Sequence, residues 1–407
     1  MEPDFADLAV VLGVAFVVPL ILGLAPRLRL PAVVIELAIG IVVGPQVLGW
    51  ADTGEVVGVL STVGLAFLLF LAGLEIDVAL LRGEVLRRTL LALAGTVVLG
   101  LAAGVVLELT GVVDHALLVA IALMATSVGL VVPILKDAGH ADTTAGQLTL
   151  AGGAAGEFLA IVALSLLFSA DDAATTGARL QLVVGFVIVT AALAIGIATS
   201  GRSTKVSRAL FRLQDTTAQI RVRGAMLLLV LLVLAAERSG LEAILGAFIA
   251  GVVVSVLDRD TMRTHPLFRV KLEAVGFGFL IPIFFVASGL RFDLDALTED
   301  PATLLRIPLL LTALLVVRAV PAYLVFRPLV GARIALASGL LQAATLHVIL
   351  AATAIGRELA LISTATAAAL VATALVSCLV FPVVALALLR HQESASAAAL
   401  ESSIAER

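Results

Sequence analysis

The stretch AGQLTLAGGAAGEFLAIVALSLLFS (145–169) is 25 residues long and contains one charged residue, Glu157. An apolar run of this length predicts a helix that crosses a membrane. A carboxylate at bilayer depth costs about 3 kcal/mol or more, so it normally faces a polar cavity or a partner and marks an ion or proton path. Arg318, in LLRIPLLLTALLVVRAVPAYLVF (304–326), is the basic residue that could balance this charge from the middle of another span. This pair indicates a transporter.

The composition of the whole chain agrees with a membrane protein. Of its 407 residues, 61% are hydrophobic and only 14% are charged, and the mean hydropathy is +1.17. Such values lie outside the range of soluble domains. The 34 glycines suit closely packed membrane helices. The single cysteine, Cys378, excludes a disulfide framework and a cysteine-based metal cluster.

Hydropathy divides the chain into about thirteen apolar segments, each long enough to cross the hydrocarbon core. We therefore predict an all-α polytopic protein with one membrane transporter domain (1–390) and a short cytoplasmic tail (391–407). The predicted spans are 6–25, 31–49, 56–75, 86–109, 115–135, 146–169, 180–199, 221–237, 240–257, 273–290, 303–326, 333–354 and 360–389.

The basic residues predict the orientation. They are concentrated in the loops that follow the odd-numbered spans, whereas the opposite loops carry acidic groups such as Asp171–Asp172 and FDLDALTEDP (292–301). The positive-inside rule then places the N-terminus outside and the C-terminus in the cytoplasm. The basic loop residues are Arg27, Arg29, Arg82, Arg87, Arg88, Lys136, Arg202, Lys205, Arg208, Arg212, Arg259, Arg263, Arg269, Lys271, Arg327 and Arg333.

Two predicted spans carry polar groups and helix breakers at their centres. The fifth contains Thr126 and Ser127, and the twelfth contains Gln342, Thr345 and His347. A pair of interrupted spans in the two halves of a chain is typical of an inverted-repeat transporter with a site near the midplane. Open helix ends at such breaks supply partial charges and free carbonyls that complete the shell of a cation. The alternative is that the hydroxyls only bond to carbonyls of their own helices.

Five segments in this order resemble the bacterial monovalent cation:proton antiporter-2 family, and the resemblance extends from about residue 10 to 389. That family includes sodium/proton antiporters and potassium efflux systems. The segments are VVIELAIGIVVGPQVLG (33–49), VGLAFLLFLAGLEID (63–77), MATSVGLVVPILKDAG (124–139), ILGAFIAGVVVS (244–255) and IPIFFVASGLRFD (281–293).

The resemblance implies a sodium/proton antiporter-like fold with two broken, crossing helices. It also implies a homodimer in the bacterial inner membrane that works by elevator-type alternating access. A core domain would carry the ion site and a second domain would form the dimer. We expect the core at about 56–169 and 303–389, and the dimerisation or scaffold helices at about 6–49 and 180–290.

Three departures from the family pattern affect the expected site. Members usually carry two polar residues where this chain has Gly156-Glu157, so the resemblance makes Glu157 the ion-binding carboxylate. Many members have a lysine where this chain has Arg318, and arginine does not release its proton in proteins. The run that begins at Gln342 and ends at Thr345 lacks the carboxylate of the potassium efflux members.

The expected chemistry is competition between a proton and a monovalent cation, Na⁺ or K⁺, for Glu157. We expect Thr126 and Ser127 to complete the cation shell, Gly156 to leave room for water and Arg318 to stabilise the ion-free carboxylate. A single titrating group predicts one-for-one, electroneutral exchange. Gln342, Thr345 and His347 are secondary candidates.

Other interpretations remain open at this point. Glu157 and Arg318 could form a permanent structural ion pair, and His347 could be a satisfied core histidine without metal-ligand spacing around it. Arg318 could instead hold a substrate carboxylate in a sodium-coupled organic-anion transporter of related fold. A non-transporting sensor or scaffold is a third possibility.

Enzymatic motifs are missing from the sequence. It has no HExxH, no P-loop and no GxSxG elbow, so we expect a secondary transporter without a cofactor rather than an enzyme or a primary pump. The basic residues are not interleaved with aromatics, so no nucleic-acid surface is expected.

Overall fold

The described residues of this computed structural model are 5–24, 31–75, 83–137, 139–141, 143–168, 219–259 and 267–405, with 181–182, 184–186, 188 and 190. Most of the predicted span 180–199 and of the loop near 200–220 lies outside them. Several residues on which the predicted orientation depends also lie outside them, namely Arg27, Arg29, Arg82, Asp171, Asp172, Arg202, Lys205, Arg208, Arg212 and Arg263.

The described part of the chain is helical and contains no strand, as predicted. Apart from 180–199, each predicted span contains a helix or a pair of half-helices, although the helix in 31–49 ends at Val43. The helices are α1 Ala6–Leu24, α2 Ala32–Val43, α3 Glu55–Glu75, α4 Gly83–Leu109, α5 Ala116–Met124, α6 Val128–Asp137, α7 Thr144–Leu167, α8 Ile220–Arg238, α9 Ala243–Arg259, α10 Leu267–Val275, α11 Ile281–Leu290, α12 Leu294–Thr298, α13 Pro301–Val330, α14 Ala332–Ala343, α15 His347–Glu358 and α16 Thr364–Ala405.

The helices of the described residues have the length and composition of membrane spans. Eight segments are long and apolar enough to cross a bilayer, with Phe268–Leu290 and Ala332–Glu358 each counted as one segment. Three shorter apolar helices accompany them. A π-helical turn, Gly276–Leu280, joins α10 to α11. The last helix continues to Ala405, so residues 391–405 of the predicted tail are helical, and the cytoplasmic location of the tail stays a prediction.

The chain forms two compact units. The first unit contains Met1–Ala25, Ile35–Val78 and Ile161–Phe292, and the second unit contains Pro26–Val34, Ala79–Ala160 and Asp293–Arg407. The domain roles expected for these regions stay predictions.

Within the first unit, α3 packs closely against α9. A Cβ atom on Gly73 would lie 2.1 Å from the carbonyl oxygen of Phe248, and one on Gly251 would lie 1.9 Å from that of Phe70. Glycine is therefore needed at both positions for the backbones to approach this closely. The first unit contains α3, and the assignment of this helix to the expected core range, 56–169, stays a prediction.

Within the second unit, the two predicted helix breaks are present and meet each other. The first break separates α5 from α6, and the second separates α14 from α15. Ser127 N–H donates to the carbonyl of Ala344 over 2.9 Å, and Leu346 N–H donates to Ser127 Oγ over 2.8 Å. Backbone groups that a break releases must find partners where water is excluded. Each break thus supplies partners for the other.

Candidate functional site

Glu157 lies in the middle of α7 and is 1% exposed. Its Oε2 accepts a hydrogen bond of 3.1 Å from the backbone N–H of Val128, the first residue of α6. Free N–H groups and the positive end of the helix dipole favour an anion at such a position. The break before α6 therefore creates a binding position for the carboxylate that the sequence singled out.

The base that contacts Glu157 is His347. Its Nε2 lies 2.6 Å from Oε1 of Glu157, and its Nδ1 lies 3.0 Å from Oγ of Ser127. An ionised carboxylate only accepts, so Nε2 carries a proton when Glu157 is charged. The Ser127 hydroxyl already accepts from Leu346 and is free to donate to Nδ1 of the neutral ring.

The placement of His347 follows from the second helix break. It is the first residue of α15 and is 3% exposed, so its ring projects from the start of a half-helix into the buried site. From the sequence, His347 is a secondary candidate or a satisfied core histidine, because no ligand spacing surrounds it. The sequence signal for its role is that this polar residue directly follows a predicted helix break, as Ser127 lies at the other break.

Arg318, on α13, is 1% exposed and contacts neutral oxygens. Its Nη2 donates to the Thr126 hydroxyl, to the Gly152 carbonyl over 3.1 Å and to Gln342 Oε1 over 3.3 Å. Its Nε donates to the Gln342 carbonyl over 3.2 Å. Among the described residues, no carboxylate oxygen lies within 4.0 Å of this guanidinium. The base in direct contact with Glu157 is thus His347, and the role of Arg318 as the charge partner of Glu157 stays a prediction.

The glycines of α7 explain where Arg318 lies. A Cβ atom on Gly156 would come within 2.6 Å of Nη1 and 2.8 Å of Nη2 of Arg318. One turn earlier, a Cβ atom on Gly152 would lie 2.7 Å from Oε1 of Gln342. Gly156 was expected to leave room for water, but the space above it holds the guanidinium.

The remaining predicted residues also lie at the crossing of the breaks. Thr126 is fully buried and donates to the Gln342 carbonyl over 2.6 Å. Gln342 Nε2 and Thr345 Oγ1 are buried and have no hydrogen-bond partner among the described residues. The Thr345 backbone contacts the hydroxyl of Ser377 on α16, a site neighbour that the sequence analysis missed. The structure thus brings all the predicted site residues into one unit.

A comparison with protein families gives a match over nearly the whole chain. The model of the transmembrane sodium/hydrogen exchanger family matches residues 12–391. The chain belongs to this family. The resemblance to monovalent cation:proton antiporters is therefore confirmed.

Individual exchanger relatives match over most of the chain. A putative Na⁺/H⁺ antiporter of Bacillus subtilis, YjbQ, is 33% identical over 95% of this chain, which spans 64% of the length of that relative. A probable Na⁺/H⁺ antiporter of Methanocaldococcus jannaschii is 26% identical, with 94% of this chain and 96% of the relative covered. The Na⁺/H⁺-K⁺ antiporter GerN of Bacillus cereus is 31% identical, with 67% and 68% covered.

Solved exchanger structures confirm the fold. Two structures of the sodium proton antiporter MjNhaP1 from M. jannaschii superpose with TM-scores of 0.59 and 0.66 at 16% identity. The first match covers 94% of this chain and 95% of the solved one, and the second covers 95% and 96%. At this identity the likeness shows the architecture alone.

Proposed function

We propose that this exchanger-family protein is a secondary antiporter that exchanges a monovalent cation, Na⁺ or K⁺, for a proton. The observation that carries the proposal is the buried carboxylate of Glu157, held between the N-terminus of α6 and the ring of His347. A carboxylate in this position has lone pairs left for a cation or a proton, but the two exclude each other. Competition at one group couples the two fluxes.

The charges around the carboxylate favour electroneutral exchange. Protonation of Glu157 and binding of a monovalent cation each add one positive charge to the site. Arg318 keeps its charge throughout, because arginine does not deprotonate in proteins. The two loaded states then carry the same net charge, and a one-for-one cycle moves none across the membrane.

The oxygens available to the cation come from α7 and from the first helix break. Carboxylate, hydroxyl and carbonyl oxygens are the ligands that hard cations take. We assign this role to Glu157 and to the hydroxyl of Ser127, which lie on either side of the His347 ring. Thr126, expected as a ligand, accepts a hydrogen bond from the positively charged guanidinium of Arg318, which repels a cation, so we place Thr126 in the support of the site.

Arg318 is poorly placed to bind an organic anion. Its Nε and Nη2 donors are already bonded to oxygens of Thr126, Gly152 and Gln342. A substrate carboxylate that bound the guanidinium with both of its oxygens would have to displace at least one of them. This contact pattern supports cation exchange over the organic-anion alternative.

The proposal also includes a homodimer in the bacterial inner membrane that works by elevator-type alternating access. Its N-terminus would lie outside and its C-terminus in the cytoplasm. These parts of the proposal rest on the resemblance and on the distribution of basic residues.

The decisive experiment measures proton flux in proteoliposomes that contain a pH-sensitive dye. Wild type and Glu157→Gln are pulsed with Na⁺, K⁺ or Li⁺. We expect a cation-triggered pH change in the wild type that is lost in the variant. Glu84→Gln, which changes an exposed acid at the start of α4, is the matched control. Folded wild type that responds to none of the three cations would refute the proposal and favour the organic-anion carrier.

A further inference from the structure

The guanidinium of Arg318 lies in a cage of neutral oxygens. Nη2 alone contacts a hydroxyl, a backbone carbonyl and a side-chain amide oxygen, from Thr126, Gly152 and Gln342. A fourth oxygen, the Gln342 carbonyl, accepts from Nε. The side chains of Thr126 and Gln342 are 0% and 2% exposed, so this cage is separated from bulk solvent.

Such a set of ligands suits a monovalent cation. Backbone carbonyls and other neutral oxygens replace the hydration shell of alkali ions in selective sites. The guanidinium is itself a monovalent cation, and it occupies this position through a covalent tether. Unlike an ordinary buried arginine, it has no carboxylate oxygen within 4.0 Å in the described part of the chain.

We infer that these four oxygens form a second monovalent-cation position, which Arg318 occupies permanently with its own charge. The protein then has one exchangeable cation position, at Glu157, rather than two. The inference rests on the proposed function in one respect, namely that Glu157 is the exchangeable position. The cage itself is defined by the contacts of Arg318.

Two glycines make this occupancy possible. Gly152 and Gly156 lie one turn apart on α7 and so share a face of the helix. The amide of Gln342 packs on Gly152, and the guanidinium packs on Gly156, at distances that leave no room for a Cβ atom. Gly156 therefore determines that a planar cation fits beside Glu157.

The charge of Arg318 also explains why an alkali ion would not share the cage. A unit charge about 4 Å away weakens cation binding by roughly a thousandfold at the effective dielectric constant of about 20 typical of proteins. Removal of the guanidinium, with the glycines kept, leaves four oxygens and a space of matching size. A small cation should then bind.

The test uses the purified full-length protein in a Glu157→Gln background, which removes the first position. Thermal unfolding is followed in Na⁺, K⁺ or guanidinium chloride at millimolar concentrations, with choline chloride as the inert salt. We expect the Arg318→Ala/Glu157→Gln protein to be stabilised by guanidinium and by at least one alkali cation. Glu157→Gln alone should respond to none of them, because Arg318 still fills the cage. The outcome does not depend on whether the wild type exchanges ions.

A binding measurement and a charge-preserving control complete the test. With Glu157 intact, equilibrium binding of radioactive Na⁺ or Rb⁺ should rise from one to two ions per chain in Arg318→Ala. Arg318→Lys retains a positive charge and should bind one. Equal cation responses of Arg318→Ala and Arg318→Lys would overturn the inference.

Instability of the alanine variant would not prevent a decision. If it folds only when guanidinium or an alkali cation is present during purification, that dependence supports the inference. If it folds under neither condition, Arg318→Gln is measured instead. The amide N–H groups of the new side chain can donate hydrogen bonds to some of the cage oxygens without adding a charge. If Arg318→Gln folds but responds to cations no more than Arg318→Lys does, the inference is overturned.

Discussion

Nε2 of His347 lies 2.6 Å from Oε1 of Glu157, although 190 residues separate them in the chain. The two groups reach each other because His347 begins one half-helix and Glu157 caps the start of another. A hydrogen bond to a carboxylate is worth about 1.5–3 kcal/mol. A cation that binds Glu157 draws on the same negative charge, so this bond weakens cation binding.

Replacement of His347 by alanine should therefore favour the cation. We expect the KM for the transported cation to fall by about tenfold at alkaline pH, where protons compete little for the carboxylate, since one competing donor is lost. The maximal rate should fall as well, because the carboxylate is less firmly positioned. The measurement is initial exchange rate against cation concentration in proteoliposomes.

Two further variants make the His347 prediction specific. His347→Gln restores an amide donor and should give a KM between those of the wild type and the alanine variant. His140→Ala, outside the site, should leave KM at the wild-type value. An unchanged KM in His347→Ala would mean that the ring does not compete with the cation.

Ser127→Ala should destabilise the second unit. The hydroxyl accepts from Leu346 N–H and contacts Nδ1 of His347, so its loss leaves a buried donor unpaired. The cost is about 1–3 kcal/mol in the free energy of unfolding. Thermal unfolding in detergent checks this, with exchange activity measured in parallel.

Ser288→Ala is the matched control for the Ser127 variant. The Ser288 hydroxyl donates to the Phe284 carbonyl of its own helix over 2.7 Å, and we expect its loss to change stability by less than about 0.5 kcal/mol. Equal destabilisation by the two substitutions would argue against a role of Ser127 as the link between the breaks.

Gly156→Ala should abolish exchange while the protein stays folded. The new methyl group would lie within 2.6 Å of Nη1, so the guanidinium of Arg318 must move away from Thr126 and Gln342. Overpacking of this kind costs about 1–3 kcal/mol. Gly13→Ala, where no atom lies within 4 Å of the new methyl, should retain exchange. Wild-type exchange in Gly156→Ala would show that the position of Arg318 is not needed.

The helices and the two breaks could be predicted from the sequence because both have local causes. Length and hydropathy determine the spans, and polar residues mark the breaks at Thr126–Ser127 and at Thr345. Glu157 was recognised because no other charge lies within its span. These features need no knowledge of the packing.

The partners within the site could not be predicted in the same way. Arg318 and His347 are both bases in other spans, and the sequence does not contain the distance from either to Glu157. Packing decides between them, because the missing side chain of Gly156 leaves a place for the guanidinium beside the carboxylate rather than on it. The role of Gly152 under Gln342 depends on the same packing.

A last prediction concerns Asp114, in the loop between α4 and α5, outside the membrane spans. Partial burial raises the pKa of this carboxyl, but hydrogen bonds from Ser363 and Thr366 and the charge of Arg306 outweigh that effect, so its pKa lies below the usual 3.8. Ser363 donates to Oδ2 of Asp114 through both its N–H and its hydroxyl, each over 2.8 Å. The loop is thereby tied to the start of α16.

The sign of the pH dependence follows from the lowered pKa. A carboxyl with a lower pKa in the folded state contributes stability above its unfolded pKa, near 3.8, and this contribution is lost as the pH falls through the folded pKa. Asp114→Asn should therefore be less stable than the wild type at neutral pH, by about 1 kcal/mol at most for so exposed a group. The difference should vanish in acid, where the wild-type carboxyl is protonated as well. Unfolding midpoints over a pH series measure this difference, with Asp52→Asn as the comparison. A stability difference that persists in acid would show that the charge of Asp114 does not cause it.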